Sequence, residues 1–323
     1  MKASIKKILS IILPLILGVF LVYYSFSQLD PEEYNKAKIN IANANYFYLI
    51  ICSIFSIGSL ASRAYRWKFS LEHMGYKSYF LNNFMAVSVG YLMNLTVPRS
   101  GEVSRALVLK NYDNIPFDKS FGSIIAERVL DLIILLTFIA VAIILQFDVL
   151  KDFVYERIPV EKIFYILLIL LLLGCIGFYL LFFTNLKPMV FIRDKFKGII
   201  EGVSSIFKMK KRVPFIFHTL LIWACFVGTF YFGMKTVEAT SSLSLGIIIT
   251  SFVVGSLAVT FTNGGIGAFP VMISKILLLY GISEASGTAV GWILWGSQTA
   301  TVVILGGISF IFLPIFNKTF KKV

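Results

Sequence analysis

Apolar runs long enough to cross a bilayer recur along the whole chain, at residues 8–28, 43–62, 121–147, 163–184, 214–234 and 287–313. Each reaches the ~20 residues that a helix needs to span about 30 Å of hydrocarbon. The chain is 58% hydrophobic, well above a soluble globular domain. The expected fold class is an all-α polytopic membrane protein. No long polar segment interrupts the runs, so residues 1–323 read as a single membrane domain with half-repeats 1–147 and 148–323. Lys2, Lys6 and Lys7 precede the first run in the manner of a signal peptide. That run is long and has no A-x-A-like site, so it is expected as an uncleaved first helix.

Two further runs, 79–97 and 244–262, lead into the polar turns VPRSGE and TNGGIGAFP and then into shorter segments, 101–110 and 268–281. Charge decides whether these cross or turn back. Residues 185–213 carry eight basic residues against Asp194 and Glu201, and the positive-inside rule places such a loop in the cytoplasm. Residues 63–77, read as a loop with Arg63, Arg66, Lys68 and Lys77, agree with this only if 79–110 enters and leaves on the same side. C-terminal Lys318, Lys321 and Lys322 require the same of 244–281. The expected topology is six crossings plus two re-entrant hairpins in an inverted repeat, with an eight-helix bundle as the alternative. Both termini then lie in the cytoplasm, at the inner membrane, and 30–45, 148–162 and 235–243 are outside loops. Inverted repeats are characteristic of transporters. The traces of this one are Gly101 and Gly267, 166 positions apart, and Ile115 and Ile282, 167 apart.

The charges of the first hairpin then need explaining, because irregular backbone within a membrane survives only inside protein or beside water. Arg99, Glu102 and Arg105 recur at three-residue spacing and are expected on one face of a returning helix about 15 Å long. In AERVLDL, Glu127 and Asp131 are four apart and Arg128 precedes Asp131 by three, with Asp131 about 15 Å into its helix. Each such charge costs roughly 2.5–3.5 kcal/mol in the membrane, so each needs a partner. Two readings stay open: an internal salt-bridge network among these six residues, or arginines that bind an anionic headgroup bidentately. Three arginines against three carboxylates leave no surplus cation. Arg63 or Arg66 would supply one, or would serve only as anchors beside interfacial aromatics.

The second hairpin offers Asn263, Gly264, Gly265 and Gly267, either as exposed N–H groups for an anion or as a plain tight turn. Lys275 is its only cation, and Trp295 and Gln298 fall at similar depth in the last helix. Cys52, Cys175 and Cys225 are scattered through apolar runs, and His73 and His218 stand alone, so no metal site is indicated. No cofactor and no nucleic-acid partner are expected.

LTVPRSGEVSRALVL, IPFDKSFGSIIAERVLDLIILL and NGGIGAFPVMISKILLLYGIS together resemble the membrane region of the lysylphosphatidylglycerol synthetases, a flippase-like family that also occurs as stand-alone proteins. The resemblance implies movement of an anionic or modified lipid between leaflets. Two departures bear on the substrate: Phe269 and Pro270 stand where many members have an acidic residue, and WGSQT replaces a common Arg. No aminoacyltransferase domain is expected after the last helix, and with it no lipid synthesis from aminoacyl-tRNA. The expected function is non-enzymatic lipid translocation with membrane lipids as partners. The alternatives are a lipid-modifying enzyme using Glu102, Glu127 or Asp131 as acid and base, and a membrane partner of a separate lipid-modifying synthetase.

Overall fold

A computed structural model of the chain describes residues 30–97, 99–149, 151, 208–262 and 264–319, with single positions elsewhere in 20–27 and 165–190. The expected crossings at 8–28 and 163–184 and most of the basic loop 185–213 lie outside the described residues, as do Pro98 and Asn263. The described residues form nine α-helices: α1 Pro31–Ala42, α2 Phe47–His73, α3 Phe80–Thr96, α4 Ser100–Asp113, α5 Phe117–Leu145, α6 Arg212–Met234, α7 Leu245–Phe261, α8 Ala268–Leu278 and α9 Glu284–Thr319. One 3-10 turn, Glu238–Thr240, follows α6, and no strand occurs among the described residues. Four helices, α2, α5, α6 and α9, are long and apolar enough to cross a membrane. The chain is a helical, multi-pass membrane protein.

Residues 1–125 and 213–323 form one compact unit and residues 126–212 another, with α5 running from the first into the second. Within the first unit α9 serves as a ruler. Its 36 residues extend about 54 Å at 1.5 Å per residue. The α7/α8 hairpin lies against its N-terminal part. Ser274 Oγ donates to the Glu284 carbonyl (3.1 Å), Pro270 lies against Gly291, and Trp295 Nε1 donates to the Gly264 carbonyl at the tip (2.9 Å). The α3/α4 hairpin lies against the C-terminal part in the opposite sense. Asn82 at its base bonds Asn317, Met85 and Val89 pack on Leu313, and Leu92 meets Gly306. The bases are therefore at opposite ends of α9, and the tips meet beside its middle, where Leu95 touches Gly264.

The two hairpins correspond to one another in length and spacing. Helices α3 and α7 are both 17 residues long and begin 165 positions apart, at Phe80 and Leu245. Gly90 and Gly255, also 165 apart, each bring the returning arm close. A Cβ on Gly90 would lie 2.8 Å from Arg105 Cγ, and one on Gly255 2.7 Å from Phe269 Cε2. Left-handed Asn114 and Gly281 end the returning arms, and each is followed by the isoleucine noted above, Ile115 or Ile282.

Three boundaries differ from the sequence expectation. The expected outside loop 30–45 contains α1, started by Pro31 and by the Asp30 carboxylate accepting the Glu33 N–H at 2.8 Å. The crossing expected to end at residue 62 continues as helix to His73, because Arg63 and Arg66 are turned inward rather than lying in a loop. The returning arm expected over 101–110 spans Ser100–Asp113, about 20 Å.

Candidate functional site

The first hairpin is knit at its tip by side chains that replace lost helical bonds. Asn94 Oδ1 accepts the Gly101 N–H at 2.7 Å, and Ser100 Oγ lies within bonding distance of the Val97 (2.7 Å) and Met93 (2.9 Å) carbonyls. A Cβ on Gly101 would overlap the Gly90 carbonyl, so the two arms touch backbone to backbone. Arg99 stands just before α4 in the left-handed region, φ 60°, a conformation that costs a non-glycine residue about 1–2 kcal/mol. Its side chain is exposed and makes no hydrogen bond or ion pair among the described residues.

Arg105, two turns along α4, is 2% exposed, with its guanidinium carbon 4.2 Å from the centre of the Trp67 ring. Trp67 is itself fully buried and donates from Nε1 to Ser123 Oγ at 2.9 Å, which in turn donates to the Ser120 carbonyl at 2.7 Å. Stacking of this kind is worth up to about 2 kcal/mol when desolvated. Arg63 (3% exposed) lies 5.9 Å from the Tyr91 ring and Arg66 (0%) 5.9 Å from the Phe215 ring. Three arginines of α2 and α4 are thus enclosed, each beside an aromatic ring of α2, α3 or α6.

Sequence spacing is corrected in one respect. Arg99 precedes the helix and is exposed, so it does not share the face of Glu102 and Arg105, which are three apart within α4, half-buried and buried respectively. Arg63 and Arg66 are interior groups rather than interfacial anchors. In the other unit Glu127 is buried, and Arg128 pairs with Asp131 one turn along the same helix at 3.6 Å. In the Gly-rich turn Gly264, Gly265 and Gly267 have φ 64°, 75° and 69°. Lys275 pairs with Glu284 at the base of that hairpin. No group of His, Cys, Asp and Glu suited to a metal occurs among the described residues.

Sequence reading missed Asn94, Trp67 and Ser123. For Trp67 a signal existed: Leu60, Arg63, Ala64, Trp67 and Leu71 recur at helical spacing and are all buried, so the inner stripe of α2 runs on through its arginines.

The family described as "Lysylphosphatidylglycerol synthase TM region" matches residues 11–306. A UPF0104 membrane protein of Methanocaldococcus jannaschii is 35% identical over 101 residues, 30% of this chain and 30% of that protein. The matched stretch therefore spans under a third of that relative. A UPF0104 membrane protein of Pyrococcus horikoshii is 20% identical over 88% of this chain and 90% of its own length. The glycosyltransferase AglD of Haloferax volcanii is 28% identical over 135 residues, 41% of this chain and 21% of that protein. No solved structure matches significantly.

Proposed function

The chain belongs to the lysylphosphatidylglycerol synthase transmembrane-region family, and from that premise we propose that it moves an anionic or modified phospholipid between leaflets, its headgroup held by arginines of the first hairpin. The observation that carries this reading is Arg99. It sits at a hairpin tip that meets the opposing tip beside the middle of α9, between Trp295 and Gly306, about 16 and 20 Å from the two helix ends. An exposed guanidinium at that depth is costly against hydrocarbon, so it faces water or an anion. Phosphate suits it, because the planar fork binds two oxygens at once and stays charged in a partly dry site. Arg63, Arg66 and Arg105 are enclosed nearby, beside Tyr91, Phe215 and Trp67. The Gly264–Gly267 turn forms the facing wall. The basic segment 185–213 orients the chain with its termini in the cytoplasm, at the inner membrane.

The similarity to glycosyltransferase AglD favours a second reading, a membrane module that serves a lipid-modifying enzyme. Reconstitution separates the two. Purified protein in liposomes is expected to speed transfer of a labelled anionic phospholipid between leaflets without any donor substrate, and Arg99→Ala to abolish this while leaving the fold intact. Protein-free rates in the wild type, or covalent lipid modification on adding a sugar donor, would overturn translocation.

A further inference from the structure

We propose that the reciprocal amide pair Asn82–Asn317 is a latch that closes the first hairpin against α9 on the face where α9 ends. The inference rests on the translocation reading only in that a moving lipid needs the hairpin to part from its neighbour. The two hairpins are joined to α9 differently. The second leads into it through residues 279–283, and Ser274, Glu284 and Thr288 bond across that short connection at 3.1 Å. That hairpin and α9 move together. The first hairpin is far from α9 in sequence and touches it along a seam that can open: Leu92 and Ser88 at Gly306, then Met85 and Val89 on Leu313, then Asn82 on Asn317.

Most of this seam is apolar, and apolar contact resists sliding weakly because it is not directional. Its base end is different. Asn82 Nδ2 donates to Asn317 Oδ1 at 3.0 Å, Asn317 Nδ2 donates back to Asn82 Oδ1 at 2.8 Å, and Asn82 Nδ2 also reaches Asp113 Oδ1 at 2.9 Å. Asp113 ties the α4 arm to Asn82, so Asn82 alone carries the hydrogen bonds to α9 at the hairpin's base. Asn82 is completely buried, so parting the pair leaves its Oδ1 without the Asn317 donor unless water enters with the opening, while Asn82 Nδ2 keeps Asp113 and Asn317 Nδ2 keeps the Leu313 carbonyl. Such a contact has two discrete states, made or hydrated, which is what a gate requires. At the other end of α9, α1 makes a separate long-range clasp, with Glu33 Oε2 accepting the Ala285 N–H at 3.0 Å and Asn40 Nδ2 donating to Ser286 Oγ at 3.1 Å. This clasp is the internal control.

The test uses a full-length variant without native cysteines that carries Thr96→Cys, an exposed position at the hairpin tip, in proteoliposomes. A membrane-impermeant maleimide is applied to one face at a time. Asn317→Leu is expected to raise labelling about tenfold from the face where α9 ends, two hydrogen bonds being lost, and to leave labelling from the other face unchanged. Asn40→Ala should not raise it from the α9-end face. If Asn317→Leu does not fold, Asn317→Ser gives the same reading with less packing change. Unchanged labelling in a folded variant, or equal opening towards both faces, would overturn the latch. Should labelling respond as expected while the wild type moves no lipid, the latch stands and the translocation reading falls.

Discussion

Gly264 and Leu95 touch across the meeting point of two hairpins: a methyl group added to the glycine would lie 2.6 Å from Leu95 Cδ2. Gly264 also has φ 64°, so it is constrained twice, once by its own backbone and once by the opposing tip. Gly264→Ala should lose about 1–2 kcal/mol from the left-handed backbone, and more from the overlap. Thermal unfolding in detergent separates the parts. In a Leu95→Ala background the same substitution should cost less by roughly 0.5 kcal/mol or more, the coupling expected of residues in contact. An identical cost in both backgrounds would mean that the tips do not meet.

Closeness of the hairpin arms gives a sharper contrast between two glycines. The neighbours of a Cβ on Gly101 are the Gly90 carbonyl and the Asn94 amide, both fixed by the turn, whereas Gly122 on α5 has nothing within 4 Å. Gly101→Ala should destabilise by about 1–3 kcal/mol through overpacking. Gly122→Ala should stabilise by about 0.5–1 kcal/mol, the usual gain of replacing a helical glycine in open space. Melting temperatures that move in opposite directions are the expected result.

Sidedness follows from the ruler that α9 provides. Helix α1 bonds the first turn of α9 through Glu33 and Asn40, while Lys318 lies in its last turn. Single cysteines at Lys36 and Lys318, both exposed, should therefore label from opposite faces, with Lys36 outside if the basic segment is cytoplasmic. Labelling of both from the same face would remove the opposed entry of the hairpins.

Arg105 against Trp67 tests whether the buried arginines act as planes or as charges. Arg105→Lys keeps the charge but loses the flat group 4.2 Å from the indole centre, and should cost about 1–2 kcal/mol in denaturant unfolding. Trp67→Phe keeps a ring but leaves Ser123 without its indole donor, at a cost of about 1 kcal/mol. Stability unaffected by Arg105→Lys would argue for simple charge placement.

What the sequence made legible was set by which forces act locally. Hydropathy located α2, α5, α6 and α9 because membrane insertion depends on summed side-chain transfer. Gly and Pro marked both hairpins. The last eleven residues of α2 read as loop in sequence because transfer scales treat Arg63 and Arg66 as surface groups, and nothing local records that Tyr91 and Phe215 cover them. Helix α1 was missed for the opposite reason: its cap and first-turn acids specify a helix, but one too short and polar to register as a crossing. Of the candidate residues, Arg99 and Arg105 were legible as charges and not as environments. Asn82 and Asn317 were illegible, since a contact between residues 235 positions apart leaves no trace in one sequence.

Arg99 is held in a conformation that a different residue would adopt more readily, and backbone strain of this kind persists where function maintains it. Asn tolerates the left-handed region by bonding its own backbone, so Arg99→Asn should relieve part of the roughly 1–2 kcal/mol penalty and raise stability by about 0.5–1 kcal/mol. The same substitution removes an exposed guanidinium that has no ion pair among the described residues, so no buried partner is orphaned. If that group receives the headgroup phosphate, lipid transfer in liposomes should fall at least about tenfold, the loss of one charge-assisted pair of bonds. Arg99→Lys is the discriminating companion. It retains the charge and the strain but not the fork, so stability should stay near wild type while transfer drops. A protein that is stabilised by Arg99→Asn and still transfers anionic lipid at the wild-type rate would show that the strain serves only the turn, and would move the headgroup away from the hairpin tip.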